Sequence, residues 1–288
     1  MAPTLDSAYS KDLSEFPHPG ETRVARFGFL INEASLYKIS EIQIIDPEDD
    51  ICLYVSMERV GAYDQSQLSE FILDRADEGA TEEEIIKELL RSGLLDDSKN
   101  SIAGRIALRE YSFVENDTEV ESYQVAGVET VRALRQRGLC HSTYLFLLHW
   151  YEHLVCDDNQ TIPGAKIWAG PLMRTGDVHI YNAKTEKFED VLGEYGMGKN
   201  TGFLPWNRGL LLDPELSSWL PNKVQINVQK FIVLIISRSS EHQSAGSNSK
   251  STGGFVPPPR HSFSISPFFI YLYLHNLPFH LYTEAVGI

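Results

Sequence analysis

Cysteine is scarce in this 288-residue chain. There are three, Cys52, Cys140 and Cys156, with no CxxC pair among them. Three thiols are too few for a disulfide scaffold, so a reducing compartment, the cytoplasm, is the expectation. Cations are also few: 25 Lys and Arg against 40 Asp and Glu, a formal charge of −15. That balance excludes general binding to nucleic acid or to an anionic membrane, because phosphate contacts need local positive charge. A long uninterrupted apolar run is missing as well. The opening residues, MAPTLDSAYSKDLSEF, lack the apolar segment of a signal peptide. The most aromatic stretch, FSISPFFIYLYLHNLPFHLY, is broken by Pro267, His275, Pro278 and His280. A membrane span needs about 20 unbroken apolar residues, so none is expected. What is present is an ordinary globular composition, 42% hydrophobic and 23% charged, enough for a core in one large domain or two small ones.

Residues 1–22 are polar, with prolines at 3, 17 and 19, and read as a flexible arm. Strand patterning follows at 22–32, 37–45 and 51–57, the last two separated by the turn Pro47-Glu48-Asp49-Asp50 and able to pair as a hairpin. A helix is predicted over 65–77, with Leu68, Phe71 and Ile72 at helical spacing. Thr81-Glu82-Glu83-Glu84 is a capping-box start for a second, with Ile85, Ile86, Leu89 and Leu90 inside and Gly93 at its end. Residues 102–114 and 118–131 read as two strands around the turn Glu115-Asn116-Asp117.

The most informative stretch runs from Val131 to Leu154. A turn carrying Arg132, Arg135, Arg137 and Gly138 leads straight into an apolar helix with Tyr144, Leu145, Leu147, Leu148 and Tyr151 at three- and four-residue steps. Such a start offers free backbone amides and the positive end of a helix dipole, both of which attract phosphate. Gly138 lets the backbone approach a ligand closely. His141, Ser142 and Thr143 fall in the first turn, where Ser142 can cap the helix or touch phosphate.

Arg135-x-x-Gly138-x-Cys140 resembles the Gln/Arg-x-x-Gly-x-Gly/Ala loop of the GNAT acetyltransferases, with Cys140 departing from the small last residue. The sequel is similar to phage-type GNAT-like proteins: Asp157-Asp158-Asn159-Gln160-Thr161, a Gly-containing helix bearing Trp168, then the strand Asp177–Asn182. The resemblance covers roughly residues 100–192. It implies an α/β (α+β) fold, a mixed central sheet with flanking helices, in a domain over 23–228. It also implies acetyl-CoA as cofactor and N-acyl transfer to an amine, small-molecule or peptide. The cofactor's diphosphate would lie on Val131, Arg132, Arg135, Arg137, Gly138, Leu139, Cys140, His141 and Ser142, and its pantetheine arm along the strand 118–131. Glu119, Glu121 and Glu129 share one face of that strand by period-two alternation, with Glu121 nearest its middle and preferred as general base. Where the family commonly has a tyrosine acid this chain has Trp168, and Tyr181 is the nearest substitute. The alternative is a GNAT-shaped module that binds cofactor or a protein without catalysis.

Two further patterns fall short of known sites. His149 and His153 are four apart on the predicted helix, but HWYEH is not HExxH and no third ligand is evident, so no metal is expected. Gly196-x-Gly198-Lys199-Asn200-Thr201 lacks the spacing of a P-loop and reads as a surface turn. Leu204-Pro205-Trp206 and residues 210–219 fit an amphipathic lid. Residues 229–288 hold only Glu241 and Glu284 against four Lys and Arg, and read as a low-complexity linker with an irregular or disordered tail.

Overall fold

The computed structural model describes residues 4–5, 21–47, 50–135, 137–157, 159–160, 162–193, 196–203, 205–208 and 231–238. These divide into two compact units. The N-terminal unit draws on Leu13–Ala107 and Glu129–Arg137, and the C-terminal unit on Met1–Asp12, Leu108–Val128 and Gly138–Pro267.

In the N-terminal unit, β1 (Thr22–Asn32), β2 (Ser35–Ile44) and β3 (Leu53–Arg59) form an antiparallel meander. A two-residue turn, Glu33-Ala34, closes the first hairpin with both residues at positive φ (46° and 51°), the geometry that matches strand twist. Helices α1 (Gln65–Asp77) and α2 (Glu82–Arg91) follow, each with a side-chain N-cap, that of α2 as expected from its sequence. Asp64 accepts from the amides of Ser66 and Gln67. Thr81 and Glu84 complete a reciprocal capping box. Leu68, Ile72, Ile85, Ile86 and Leu89 bury the helices' inner faces together with Phe29 and Leu36 of the meander. Arg75 ties the helices together by bonding both carboxylate oxygens of Glu88 at 2.7 Å. The unit also contains the first residues of β4 (Ser101–Glu115).

The C-terminal unit takes over β4 and most of β5 (Thr118–Thr130), joined at Asn116-Asp117, again both at positive φ. It continues with α3 (Leu139–Trp150), β6 (His153–Val155), α4 (Ile162–Ile167), β7 (Val178–Asn182), β8 (Lys187–Gly193) and β9 (Ile232–Ser237). A π-helical turn, Trp168–Leu172, extends α4 at Pro171, which cannot donate to the helical ladder. Strand order is β8-β7-β9-β6-β5-β4. β5 and β6 are parallel, whereas β9 is antiparallel to both β6 and β7. The fold is therefore α+β with a mixed sheet.

Several sequence expectations change here. Ile232–Ser237, assigned by composition to the tail, is a core strand with Ile232 to Ile236 all at or below 1% exposure. Five consecutive apolar residues buried on both faces give no alternation to recognise. The predicted helix to Leu154 stops at Trp150. Thr4–Leu5, inside the expected arm, is the middle strand of a small parallel sheet with Asn159–Gln160 and Asn207–Arg208. Trp206 is buried. The rest of the arm before Glu21, residues 210–219 of the expected lid and the tail beyond 238 lie outside the described residues. Among the described residues no helix is long and apolar enough to cross a membrane.

One carboxyl in this scaffold titrates far from its usual range. Glu82, in the first turn of α2, accepts the Ile31 N–H at 2.6 Å. Burial pushes its pKa up to about 7, against the pull of that hydrogen bond. A raised folded-state pKa means that the stability is fully present below 4.5 and is lost as pH rises through about 7. Glu82→Gln keeps an acceptor for Ile31 without the charge. Urea denaturation from pH 4.5 to 8 is expected to show wild type losing about 1–3 kcal/mol relative to this variant; parallel profiles would contradict the assignment.

Candidate functional site

The first turn of α3 differs from those of α1 and α2. Its N-cap is Gly138, left-handed at φ 77°, a residue with no side chain to cap the helix. The helical ladder begins with Ser142 N donating to Gly138 O at 2.9 Å, so Ser142 lies inside the helix and does not cap it. The first turn contains no acid. Leu139 is buried at once, at 1% exposure, while Cys140, His141 and Ser142 are half-buried. His141 Nε2 is buried with no hydrogen-bond partner among the described residues. Burial first, then the nearby Arg174 guanidinium, hold the His141 pKa below its usual value. The opposite end of α3 is closed: Arg238 donates to the carbonyls of Leu148 and His149 at 2.6 and 2.7 Å.

The turn leading to Gly138 belongs to the N-terminal unit. Val131, 44% exposed, donates its N–H to Ala103 O, and a 3₁₀ turn spans Arg132–Leu134. Arg135 Nε returns to Thr130 O at 3.0 Å. Arg137 pairs with Glu33 at 3.6 Å, both side chains more than half exposed, and its carbonyl accepts from Asn32 Nδ2. Arg132 is exposed. Thus Arg135 braces its own strand end, and Arg137 is held by a pair that solvent screens.

Within the C-terminal unit, β5 and β6 align at Tyr123↔Leu154 and Gln124↔Val155. The next carbonyl of that edge, Cys156 O, accepts instead from the Gln124 side chain, whose Oε1 takes the Arg109 Nε–H. A buried side-chain amide replaces main-chain pairing where the short strand ends.

Glu119 and Glu121 are exposed near the beginning of β5, and Glu129 is half-buried near its end. From Glu121 to Thr130 the strand covers roughly 30 Å at about 3.3 Å per residue. Tyr181 is 2% exposed, and its hydroxyl accepts the Val114 N–H at 2.9 Å. Its ring packs edge-on against Phe113 and Phe188. That hydroxyl thus takes a bond from the sheet and keeps its own proton. Trp168 lies against Tyr144, ring centroids 5.9 Å apart.

The histidine pair also dissolves. His149 bonds Leu145 O from α3, whereas His153 is in β6 with Nδ1 on Ser237 Oγ. Among the described residues no three His, Cys, Asp or Glu gather to hold a metal. The glycine-rich turn is not an open loop. It wraps the buried Asp190 carboxylate, which accepts from the amides of Asn200 and Thr201 and from both their side chains. A Cβ on Gly198 would come within 2.4 Å of Asp190 Oδ2. A sequence reading missed this internal anion site, because its acid lies ten residues from its donors on another strand. It also missed a cluster of Ser35, Tyr37 and Arg59, which only strand register brings together.

Burial opposes the Asp190 charge, but donors from Thr201, Val191 and Asn200 outweigh it and hold the carboxyl well below the ordinary range. The stability it contributes is present above 3.8 and lost as pH falls through the lower folded value. Asp190→Asn turns an N–H toward these donors. It is expected to cost about 2–3 kcal/mol in chemical denaturation at pH 7, with the gap to wild type narrowing below about pH 4. A gap that does not change with pH would show that the charge is immaterial.

No family model, curated protein or solved structure matches the chain.

Proposed function

We propose that the chain binds acetyl-CoA and transfers its acetyl group to an amine, through a GNAT-like arrangement in the C-terminal unit. The observation that carries this reading is the glycine-capped, acid-free start of α3. A diphosphate suits that position because the N-cap glycine has no side chain to compete for the first-turn amides and the dipole favours negative charge. Support also comes from the order β5, α3, β6, α4, β7 with β5 and β6 parallel. The pairing of β5 with β6 is short, Tyr123↔Leu154 and Gln124↔Val155, and an extended, amide-bearing arm would pair along β5 beyond it.

When bound, the cofactor supplies an acyl group activated as a thioester. This chain's own part is to hold the diphosphate end and position the amine, which must lose a proton as its nitrogen bonds to the carbonyl carbon. Glu121 remains the candidate base from strand alternation. A second reading, cofactor binding without transfer, is favoured by the Tyr181 hydroxyl being committed to Val114 and by Glu121 lying far along β5 from the turn.

Calorimetric titration of the full chain with acetyl-CoA tests the shared premise, and thiol release with a panel of amines separates transfer from binding. Ser142→Asp places an acid in the first turn of α3, where it suits the helix dipole but repels phosphate. The expectation is at least tenfold weaker binding with an unchanged or raised melting temperature. Wild type that takes up no acetyl-CoA, or a variant that binds as well as wild type, would overturn the reading.

A further inference from the structure

We propose that the tip of the β1–β2 hairpin, together with the end of β3, is a binding site for a phosphate monoester, built from Arg59, Tyr37, Ser35 and Arg137 in the N-terminal unit. Tyr37 and Arg59 are direct cross-strand partners, and Ser35 lies two residues before Tyr37, on the same face. Arg59 Nη2 donates to Ser35 Oγ at 3.1 Å, and the Ser35 hydroxyl in turn bonds that of Tyr37. Ser35 and Tyr37 are 6% and 3% exposed, so these hydroxyls are fixed parts of the fold.

The cluster has more donors than acceptors. Arg59 Nε is buried and has no hydrogen-bond partner among the described residues. The Arg137 guanidinium lies within electrostatic reach of Tyr37, as do Arg59 and Glu33. Two arginines thus face one carboxylate, Glu33, whose pair with Arg137 is exposed and at 3.6 Å is no tight bidentate contact. In a chain of charge −15 this is a local surplus of positive charge. Two planar guanidinium groups and a phenol in front of an unclaimed N–H suit a tetrahedral dianion with several acceptor oxygens. Burial, partly offset by Arg59, raises the Tyr37 pKa, so the phenol stays a donor throughout the neutral range. Glu33 occupies the place of the ligand's charge and would be displaced by it.

The site stands on the N-terminal unit alone and goes beyond the acetyl-CoA reading; failure of acetyl-CoA to bind leaves it untouched. Its test is a titration of the full chain with inorganic phosphate, and separately with glycerol phosphate, against chloride at matched ionic strength. Binding is followed by the Arg59 Nε–H resonance in isotope-labelled protein and by melting temperature. Both ligands are expected to shift the resonance downfield. Arg59→Gln should raise the midpoint of the melting response at least tenfold, and Glu33→Gln should lower it severalfold by freeing Arg137. Glu58→Gln makes the same charge change on the opposite face of β3 and should leave the midpoint unmoved. Response to inorganic phosphate alone would replace a monoester by the free ion and overturn the ligand class. An unmoved wild-type resonance, an equal midpoint in Arg59→Gln, or equal effects of Glu33→Gln and Glu58→Gln would overturn the site. The wild-type resonance decides the matter even if Arg59→Gln fails to fold.

Discussion

A helix buried on nearly every side has to begin abruptly, and the start of α3 sets the terms for what surrounds it. Leu139 is enclosed one residue after the chain turns, and Gly138 makes that turn in a left-handed conformation that costs a residue with a Cβ roughly 1 kcal/mol or more. A glycine has no side chain with which to cap. At α1 and α2, by contrast, Asp64 and Thr81 satisfy the leading amides. At the far end of α3, Arg238 covers the last carbonyls. The start of α3 thus lacks the cap residue that α1 and α2 have, and the helix dipole is positive there.

Carboxylates elsewhere show how strongly local surroundings rule over net charge. Asp190 is encircled by donors and is driven toward ionisation, whereas Glu82 has one amide and little water and is driven away from it. Both sit in a chain with fifteen excess negative charges, yet neither is governed by that excess. The same locality lets Arg59 and Arg137 keep a positive enclave at the hairpin tip.

Legibility followed the range of the interaction. The limits of β1, α1 and α2 were readable, because they are set by neighbours in sequence: strand patterning, helical spacing and a capping box. The Arg-Gly turn was found by its composition, but not the return of Arg135 to Thr130 or the pairing of Arg137 with Glu33, which depend on folded geometry. Tyr181 looked like a free hydroxyl because nothing near it in sequence announces Val114, 67 residues away. His153 was placed on a helix by spacing, although the apolar pattern continued smoothly across the turn at Tyr151 into β6. β9 was hidden for the opposite reason: its neighbours changed composition while the strand itself is uniformly apolar.

The position of β9 carries a consequence for how the molecule is made. It enters between β6 and β7, which precede it by nearly eighty and about fifty residues, and pairs with both. During synthesis those two strands must therefore wait, each with a hydrogen-bonding edge unmatched, until residue 237 has left the ribosome. Completion of the C-terminal sheet is a late event of long loop closure, slow by its topology and exposed to wrong partners while it lasts.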